Sequence, residues 1–233
     1  MIEIKNLTKT YNYKKANAFT ALTNISLNVD DGEMLAVIGK SGAGKSTLLH
    51  IIGCIDTFEK GEYTLDGIDV HKLSDKKLAQ IRNEKVGIVM QDFALVEEYT
   101  VLENVKIPLY FSKKHNANAL ALSALEKAGI SELANKPVNK LSGGQKQRTA
   151  IARAIVNEPS FILADEPTGA LDTKTSAEIM SLFKTLNDDG KTVIIITHDN
   201  NIAEMCTRKI EISDGKIISV SQYYNSRTIQ CFL

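Results

Sequence analysis

The apolar positions change period along the chain, and each change marks an element. Ile2 and Ile4 alternate with polar neighbours, residues 25–29 read as a second strand, and Asp31 with Gly32 and Asp66 with Gly67 are turn signals. The first 70 residues therefore predict a β-rich region with hairpins. Within it, the short apolar run MLAVI at 34–38 passes through GKSGAGKST into LLHIIG, which predicts strand, glycine loop and helix in succession. Ser74 is placed to cap a further helix, with Asp75 in its first turn and Leu78 and Ile81 on one face, ending near Gly87. Residues 86–90 predict the next strand.

From about residue 92 to 155 the strand-like runs disappear. NALALSALEKAGI places Ala121, Leu125 and Ala128 on one helical face before Gly129, so this stretch predicts a mostly helical lobe. Residues 161–164 then read as a buried strand, Ile179, Leu182, Phe183 and Leu186 repeat at helical spacing, and residues 193–196 form another strand. Strands alternating with helices predict a parallel sheet covered on both faces. RKIEIS, Asp214 with Gly215, and KIISV read as a hairpin, while QYYNSRTIQCFL carries no usable period. We read one domain over 1–220, with a core at 1–91 and 156–220, a helical lobe at 92–155, and a tail at 221–233. There is no internal repeat, heptad pattern or low-complexity tract.

Composition narrows the partners. With 43% hydrophobic and 24% charged residues, the 233-residue chain can build an ordinary globular core. Its 28 basic and 28 acidic residues cancel, so no general field draws it to nucleic acid or anionic lipid, and nucleic acid is not an expected partner. Cys54, Cys206 and Cys231 lie far apart, which argues against a disulfide framework or zinc site and for a reducing compartment. The N-terminus MIEIKNLTKTY has no apolar signal core, and no apolar run approaches the roughly 18 to 20 residues that span a bilayer. A membrane role would run through a partner.

Four places along the chain carry chemistry. Residues 39–46, GKSGAGKS, fit the phosphate-loop pattern G-x-x-x-x-G-K-S/T between a predicted strand and helix. Its glycines let backbone amides close around a β-phosphate, Lys45 can reach the β- and γ-phosphates, and Ser46 can ligate Mg²⁺. Lys40, second in the loop, reads as a solvated lysine. Phe161 opens an apolar strand ending in Asp165 and Glu166, where Asp165 can sit by Mg²⁺ and Glu166 can orient or deprotonate a water. His198 follows a strand in the same way and could hydrogen-bond a γ-phosphate oxygen. A second glycine turn, LSGGQ at 141–145, also opens a predicted helix but has no lysine.

These residues resemble the ATP-binding cassette ATPases that power ABC transporters, over roughly residues 1 to 220. GKSGAGKST looks like Walker A, Gln91 in VMQDF like the Q-loop glutamine, LSGGQ like the signature, ILADEP like Walker B, residues 169–172 (GALD) like the D-loop, and residues 197–199 (THD) like the switch region. The resemblance implies an α/β fold: a P-loop NTPase (RecA-like) core with a mostly parallel sheet, an N-terminal antiparallel β subdomain and an inserted helical subdomain. ATP and Mg²⁺ are the implied cofactors. Gly39, Ser41, Gly42, Ala43, Gly44, Lys45, Ser46 and Thr47 would cradle the phosphates, and Tyr11, or alternatively Tyr13, would stack on adenine. Gln91 would touch Mg²⁺ and the attacking water, alongside Ser46 and Asp165 as metal ligands. Ser142, Gly143, Gly144 and Gln145 would meet the γ-phosphate held by a second copy, Asp172 would cross the dimer interface, and Glu166, His198, Gln91 and Lys45 would be catalytic.

LADEPTGALD, with GCID after the phosphate loop, is most similar to the branch holding macrolide exporters, lipoprotein-releasing ATPases, the cell-division ATPase and peptide-antibiotic export or resistance systems. The implied protein is a homodimer on ATP binding, peripheral on the cytoplasmic face of the membrane through a separately encoded integral-membrane permease. Export or resistance involving a peptide, macrolide or lipoprotein is one implied role. The other is a mechanotransmitting signalling or cell-division complex that moves no cargo. Phe93, Leu95, Val96 and Tyr99 could dock a coupling helix of that permease or form the lobe's own core. A DNA- or ribosome-directed ABC ATPase is disfavoured by the neutral charge and the lack of coiled-coil insertions, a metal-binding hook or a second cassette. A nonhydrolytic regulatory subunit is disfavoured by Glu166, Gln91 and His198.

Overall fold

Alternation of apolar residues builds the first sheet. In the computed structural model, which describes residues 1–112, 114–224 and 227–232, with side chains described to residue 222, strands β1 (Ile2–Tyr11) and β2 (Phe19–Val29) pair antiparallel. Ile2 faces Val29, Ile4 faces Leu27, and Tyr11 faces Phe19. The pairing slips between Ile4 and Leu7, where Asn6 takes a positive φ of 50° and its N–H is accepted by Ser26 Oγ at 3.0 Å. Asparagine tolerates this left-handed geometry better than branched residues, so the bulge is written into the sequence. Ile2, Ile4, Leu7, Leu22, Ile25, Leu27 and Val29 are all buried.

Strand β3 (Met34–Ile38) follows and leads through the glycine loop to helix α1 (Lys45–Ile52). Strands β4 (Lys60–Leu65) and β5 (Ile68–Asp69) then return to the antiparallel sheet, whose order is β2-β1-β4-β5. Gly61 is required there: a Cβ would lie 2.6 Å from Leu7 Cα. Tyr63, fully buried on β4, donates its hydroxyl proton to the carbonyl of Ile52 at 2.7 Å and so ties the end of α1 to this sheet.

The chain forms two compact units, one of residues 1–79 and 194–233, the other of residues 80–193. It passes between them inside helix α2 (Asp75–Lys85) and inside a strand numbered β8 below. This partition differs from the expected core and helical lobe because each unit keeps part of the sheet-forming sequence.

In the second unit, β6 (Val86–Val89) pairs parallel with β7 (Phe161–Asp165), Val86 facing Phe161 and Val89 facing Ala164. Between them come α3 (Val101–Lys106), α4 (Ala117–Lys127) and α5 (Gly143–Ile155), and among the described residues the only β pairing there is an isolated bridge between Thr100 and Pro137. Gly87 lets α5 lie against β6, since a Cβ there would be 2.6 Å from the carbonyl oxygen of Ala154. Thr100 and Glu103 form a capping box at α3, and buried Asn104 bonds Val96 through both backbone groups. Helix α6 (Thr173–Asp188) buries Ile179, Leu182, Phe183 and Leu186, the expected face.

Strand β8 (Thr192–Thr197) carries the chain back to the first unit, where α7 (Asn200–Glu204), β9 (Arg208–Ser213), β10 (Lys216–Tyr224) and β11 (Arg227–Phe232) complete the order β11-β10-β9-β3-β8. β3 and β9 are parallel, and β10 is antiparallel to both β9 and β11. The stretch expected to be a patternless tail at 221–233 therefore includes the end of β10 and all of β11. Backbone pairing, not side-chain period, makes that strand. Cys54 and Cys206 are both buried, burial pushing the Cys206 thiol up to about 12; the Cys231 side chain lies outside the described residues. Among the described residues no helix is long and apolar enough to cross a membrane.

Gly215 has a φ of 74°, and a Cβ there would lie 2.5 Å from the carbonyl oxygen of Ala21. Gly215→Ala is expected to destabilise the fold by more than about 1 kcal/mol, from left-handed strain plus backbone overlap. A urea midpoint equal to that of the unaltered protein would contradict this.

Candidate functional site

The glycine loop is shaped by what its glycines touch. Gly39, Gly42 and Gly44 take φ values of 155°, 80° and 105°. A Cβ on Gly39 would lie 2.3 Å from the carbonyl oxygen of Ile212, and one on Gly44 would lie 2.8 Å from that of Ala21. The loop is thus a backbone cradle that side chains would fill. Lys45 folds its ammonium back over it, donating to the carbonyls of Gly39 at 2.7 Å and Lys40 at 3.0 Å. Helix α1 starts at this loop with Gly44 as its N-cap, no side-chain cap and no acidic residue in its first turn. An uncapped helix start beside a lysine favours anions.

The second glycine turn is built differently. Ser142 caps α5 by accepting the N–H of Gln145 at 3.3 Å, and Gln145 Oε1 accepts the N–H of Ser142 at 3.1 Å. This reciprocal box engages the amides of Ser142 and Gln145, not those of Gly143 and Gly144. Gln145, expected on the nucleotide, here serves the helix cap. Asp172 is likewise a cap: its Oδ1 accepts the N–H of Thr175 at 2.9 Å and its Oδ2 the Thr175 hydroxyl at 2.6 Å. Those two bonds hold its carboxyl below the usual aspartate range.

Tyr11 is joined to the glycine loop by a 3.3 Å hydrogen bond between its hydroxyl and Thr47 Oγ1. Lys9 stands 4.8 Å from the Tyr11 ring centroid and donates to Asp56 Oδ1 at 2.8 Å. Burial alone would raise the Asp56 carboxyl, but the Lys9 ammonium, the Thr57 N–H and the Tyr11 hydroxyl together outweigh it and the group lies below its usual value. Tyr13, in contrast, is 49% exposed and neighboured by Lys14. The structure thus connects Tyr11, and not Tyr13, to the loop. Lys9 had no signal in sequence because the carboxylate it pairs with, Asp56, is 47 residues away.

In the second unit, β7 delivers Asp165 and Glu166 half-buried at its carboxyl end. Glu166 has a positive φ of 45°, uncommon for a non-glycine residue, and its carbonyl accepts the N–H of Gly169 at 3.0 Å. Gln91 reaches this turn, its Nε2 being 3.3 Å from where a Gly169 Cβ would stand. Directly after Gln91, Arg153 of α5 donates to the carbonyls of Phe93 at 2.9 Å and Ala94 at 2.5 Å. Phe93 and Leu95 are half-buried, while Val96 and Tyr99 are exposed. Tyr110 and Phe111, which sequence reasoning passed over, are exposed further at 67% and 79%. His198 is exposed in the first unit, after β8 and before Asp199, which caps α7.

A parallel-paired sheet, an uncapped glycine-opened helix and a lysine folded over the loop define a P-loop nucleotide-binding protein of the α/β class. Residues 22–169 match the ABC transporter family, and the chain belongs to it as an ATP-binding cassette ATPase. It is 49% identical over 94% of its length to the uncharacterised ABC transporter ATP-binding protein YvrO of Bacillus subtilis, covering 96% of that relative. It is 42% identical, over 97% of its length, to the macrolide export ATP-binding/permease protein MacB of Chlorobaculum tepidum, of which it spans 35%. A dimeric post-hydrolysis structure of the cassette MJ0796 of Methanocaldococcus jannaschii, bound to ADP and Pi, superposes with a TM-score of 0.87 at 44% identity, covering 97% of this chain and 99% of that one.

Because the folded Asp172 carboxyl lies below its ordinary value, the ionised cap stabilises the fold at and above that value and loses this contribution as pH falls through the folded one. Asp172→Ala should lower the melting temperature at neutral pH, with the gap to the unaltered protein narrowing in acid. A gap independent of pH would show that the cap is not electrostatic.

Proposed function

We propose that this chain is the ATP-hydrolysing subunit of an ABC transporter, closing as a head-to-tail homodimer around two ATP molecules and driving a separate integral-membrane permease from the cytoplasmic face. The observation that carries the reading is the uncapped, acid-free start of α1 within a cradle of glycines, with Lys45 folded over it. The residues suit the cofactors. The cradle admits phosphate where a Cβ would block it, and the hydroxyl of Ser46, the carboxylate of Asp165 and the amide oxygen of Gln91 are hard oxygen donors of the kind Mg²⁺ selects.

When bound, Mg²⁺ would neutralise charge on the phosphates. Lys45 and residues 39–47 would hold the β- and γ-phosphates, Tyr11 would stack on adenine, and Ser142, Gly143 and Gly144 would approach the γ-phosphate held by the facing copy. Glu166 would orient or deprotonate the attacking water, Gln91 would touch that water and Mg²⁺, and His198 would hydrogen-bond a γ-phosphate oxygen. Similarity to a macrolide export protein supports export as the transport role, with a macrolide, peptide or lipoprotein as the candidate cargo.

Glu166→Gln should retain ATP binding within about twofold, lose at least about 100-fold in turnover, and accumulate an ATP-bound dimer. Steady-state ATPase assay and size-exclusion light scattering test this, and an unchanged hydrolysis rate would remove Glu166 from its role. Tyr11→Ala should raise KM for ATP with little change in kcat, whereas Tyr13→Ala should alter neither; the reverse pattern in the same assay would exchange the two tyrosines.

A further inference from the structure

The signature turn has a close neighbour in its own chain. A Cβ on Gly144 would come within 2.5 Å of Thr175 Cγ2, and one on Gly143 within 3.1 Å of Leu171 Cδ2. The first distance is far inside van der Waals contact. Neither glycine has a positive φ, so the backbone conformation itself would accept alanine, which helices prefer to glycine. The obstacle that the chain itself places against a side chain at Gly144 is the methyl of Thr175.

That methyl is not free to swing aside. The Thr175 hydroxyl donates to Asp172 Oδ2 at 2.6 Å while its N–H donates to Oδ1 at 2.9 Å. Turning χ1 to withdraw the methyl would carry the hydroxyl off Asp172, and a β-branched side chain in a helix has few other wells. Both arms of the threonine are thereby used: the oxygen by Asp172, which caps α6, and the methyl by Gly144 in the first turn of α5.

We propose that Thr175 is a positioning residue that pegs the signature turn, its hydroxyl held by Asp172 and its methyl seating Gly144, so that one chain presents residues 142–144 and 171–172 to a second copy as a single rigid edge. The proposal rests on the reading that the signature turn meets the γ-phosphate of the facing subunit. It adds that the second signature glycine answers to a side chain in the same subunit as well as to the nucleotide.

The peg predicts a compensating pair. In a Glu166→Gln background, ATP-dependent dimer formation is measured by size-exclusion light scattering, and monomer affinity by a fluorescent ATP analogue. Gly144→Ala should reduce dimer formation at least about tenfold without weakening monomer ATP binding, and Gly144→Ala with Thr175→Ser should recover most of it, since serine keeps the bond to Asp172 and removes the methyl. Melting temperature should fall and recover in parallel. If Gly144→Ala proves too unstable to purify, the yield of folded protein becomes the readout: its recovery on adding Thr175→Ser supports the peg, and its failure to recover overturns it. A double variant no better than Gly144→Ala, or a Gly144→Ala variant that dimerises normally, likewise overturns the peg. Ser142→Arg is run alongside: dimerisation despite that bulk would instead remove the reading of the signature turn on which the peg depends.

Discussion

Everything at the nucleotide end of the first unit depends on three stretches of backbone meeting where no side chain fits. The carbonyl of Ala21 on β2 faces both Gly44 of the loop and Gly215 of the turn between β9 and β10, 2.8 Å and 2.5 Å from where their Cβ atoms would be. The same turn is stitched to its neighbours, Gly215 donating to the carbonyl of Ala43 at 3.0 Å and Thr23 donating to that of Gly215 at 2.8 Å. The antiparallel sheet, the phosphate loop and the late hairpin are therefore one clamp. These backbone contacts brace the loop in its left-handed turns, and a braced loop has less conformational freedom to lose when a phosphate is bound.

The same physics separates the two glycine turns. Both open helices, and on composition alone both invite an anion. α1 begins with no side chain over its first amides and with Lys45 beside them, whereas α5 begins with Ser142 and Gln145 already paired to each other's backbone. A helix start that has satisfied part of its own demand has less to offer a phosphate. This difference suits a turn that supplies only part of a shared site, with the charge supplied elsewhere.

What could be read from the sequence was local. The strand, loop and helix around residues 34–52, the buried face of α6 and the acidic end of β7 follow from period and motif, because each is decided by residues a few positions apart. Lys9, Arg153 and Thr175 were illegible for the opposite reason. Lys9 is an internal cation on an alternating strand, readable only once Asp56 and Tyr11 are placed beside it. β11 was missed because its pairing with β10 is a backbone affair that leaves no mark in QYYNSRTIQCFL. Gln145 and Asp172 were found as residues, but their capping geometry depends on dihedrals that a motif does not carry.

Within the second unit the motif residues form a chain of contacts around α5. Arg153, near its last turn, holds the carbonyls of Phe93 and Ala94, just beyond Gln91; Gln91 lies against Gly169; Gly169 donates to Glu166; and Leu171 and Thr175 abut Gly143 and Gly144 at the first turn of the same helix. Thirteen residues of α-helix make a rod of about 20 Å, stiff on the scale of side-chain motion. A rod held at both ends by the segments flanking Gln91 and Glu166 cannot tilt without displacing one of them. Contiguity alone does not make a signal, which requires an element with two arrangements whose balance each end can bias. The left-handed Glu166 and the paired left-handed residues Phe93 and Ala94 are the places in this chain of contacts where the backbone holds a costly conformation, and so where a second arrangement would have least to overcome.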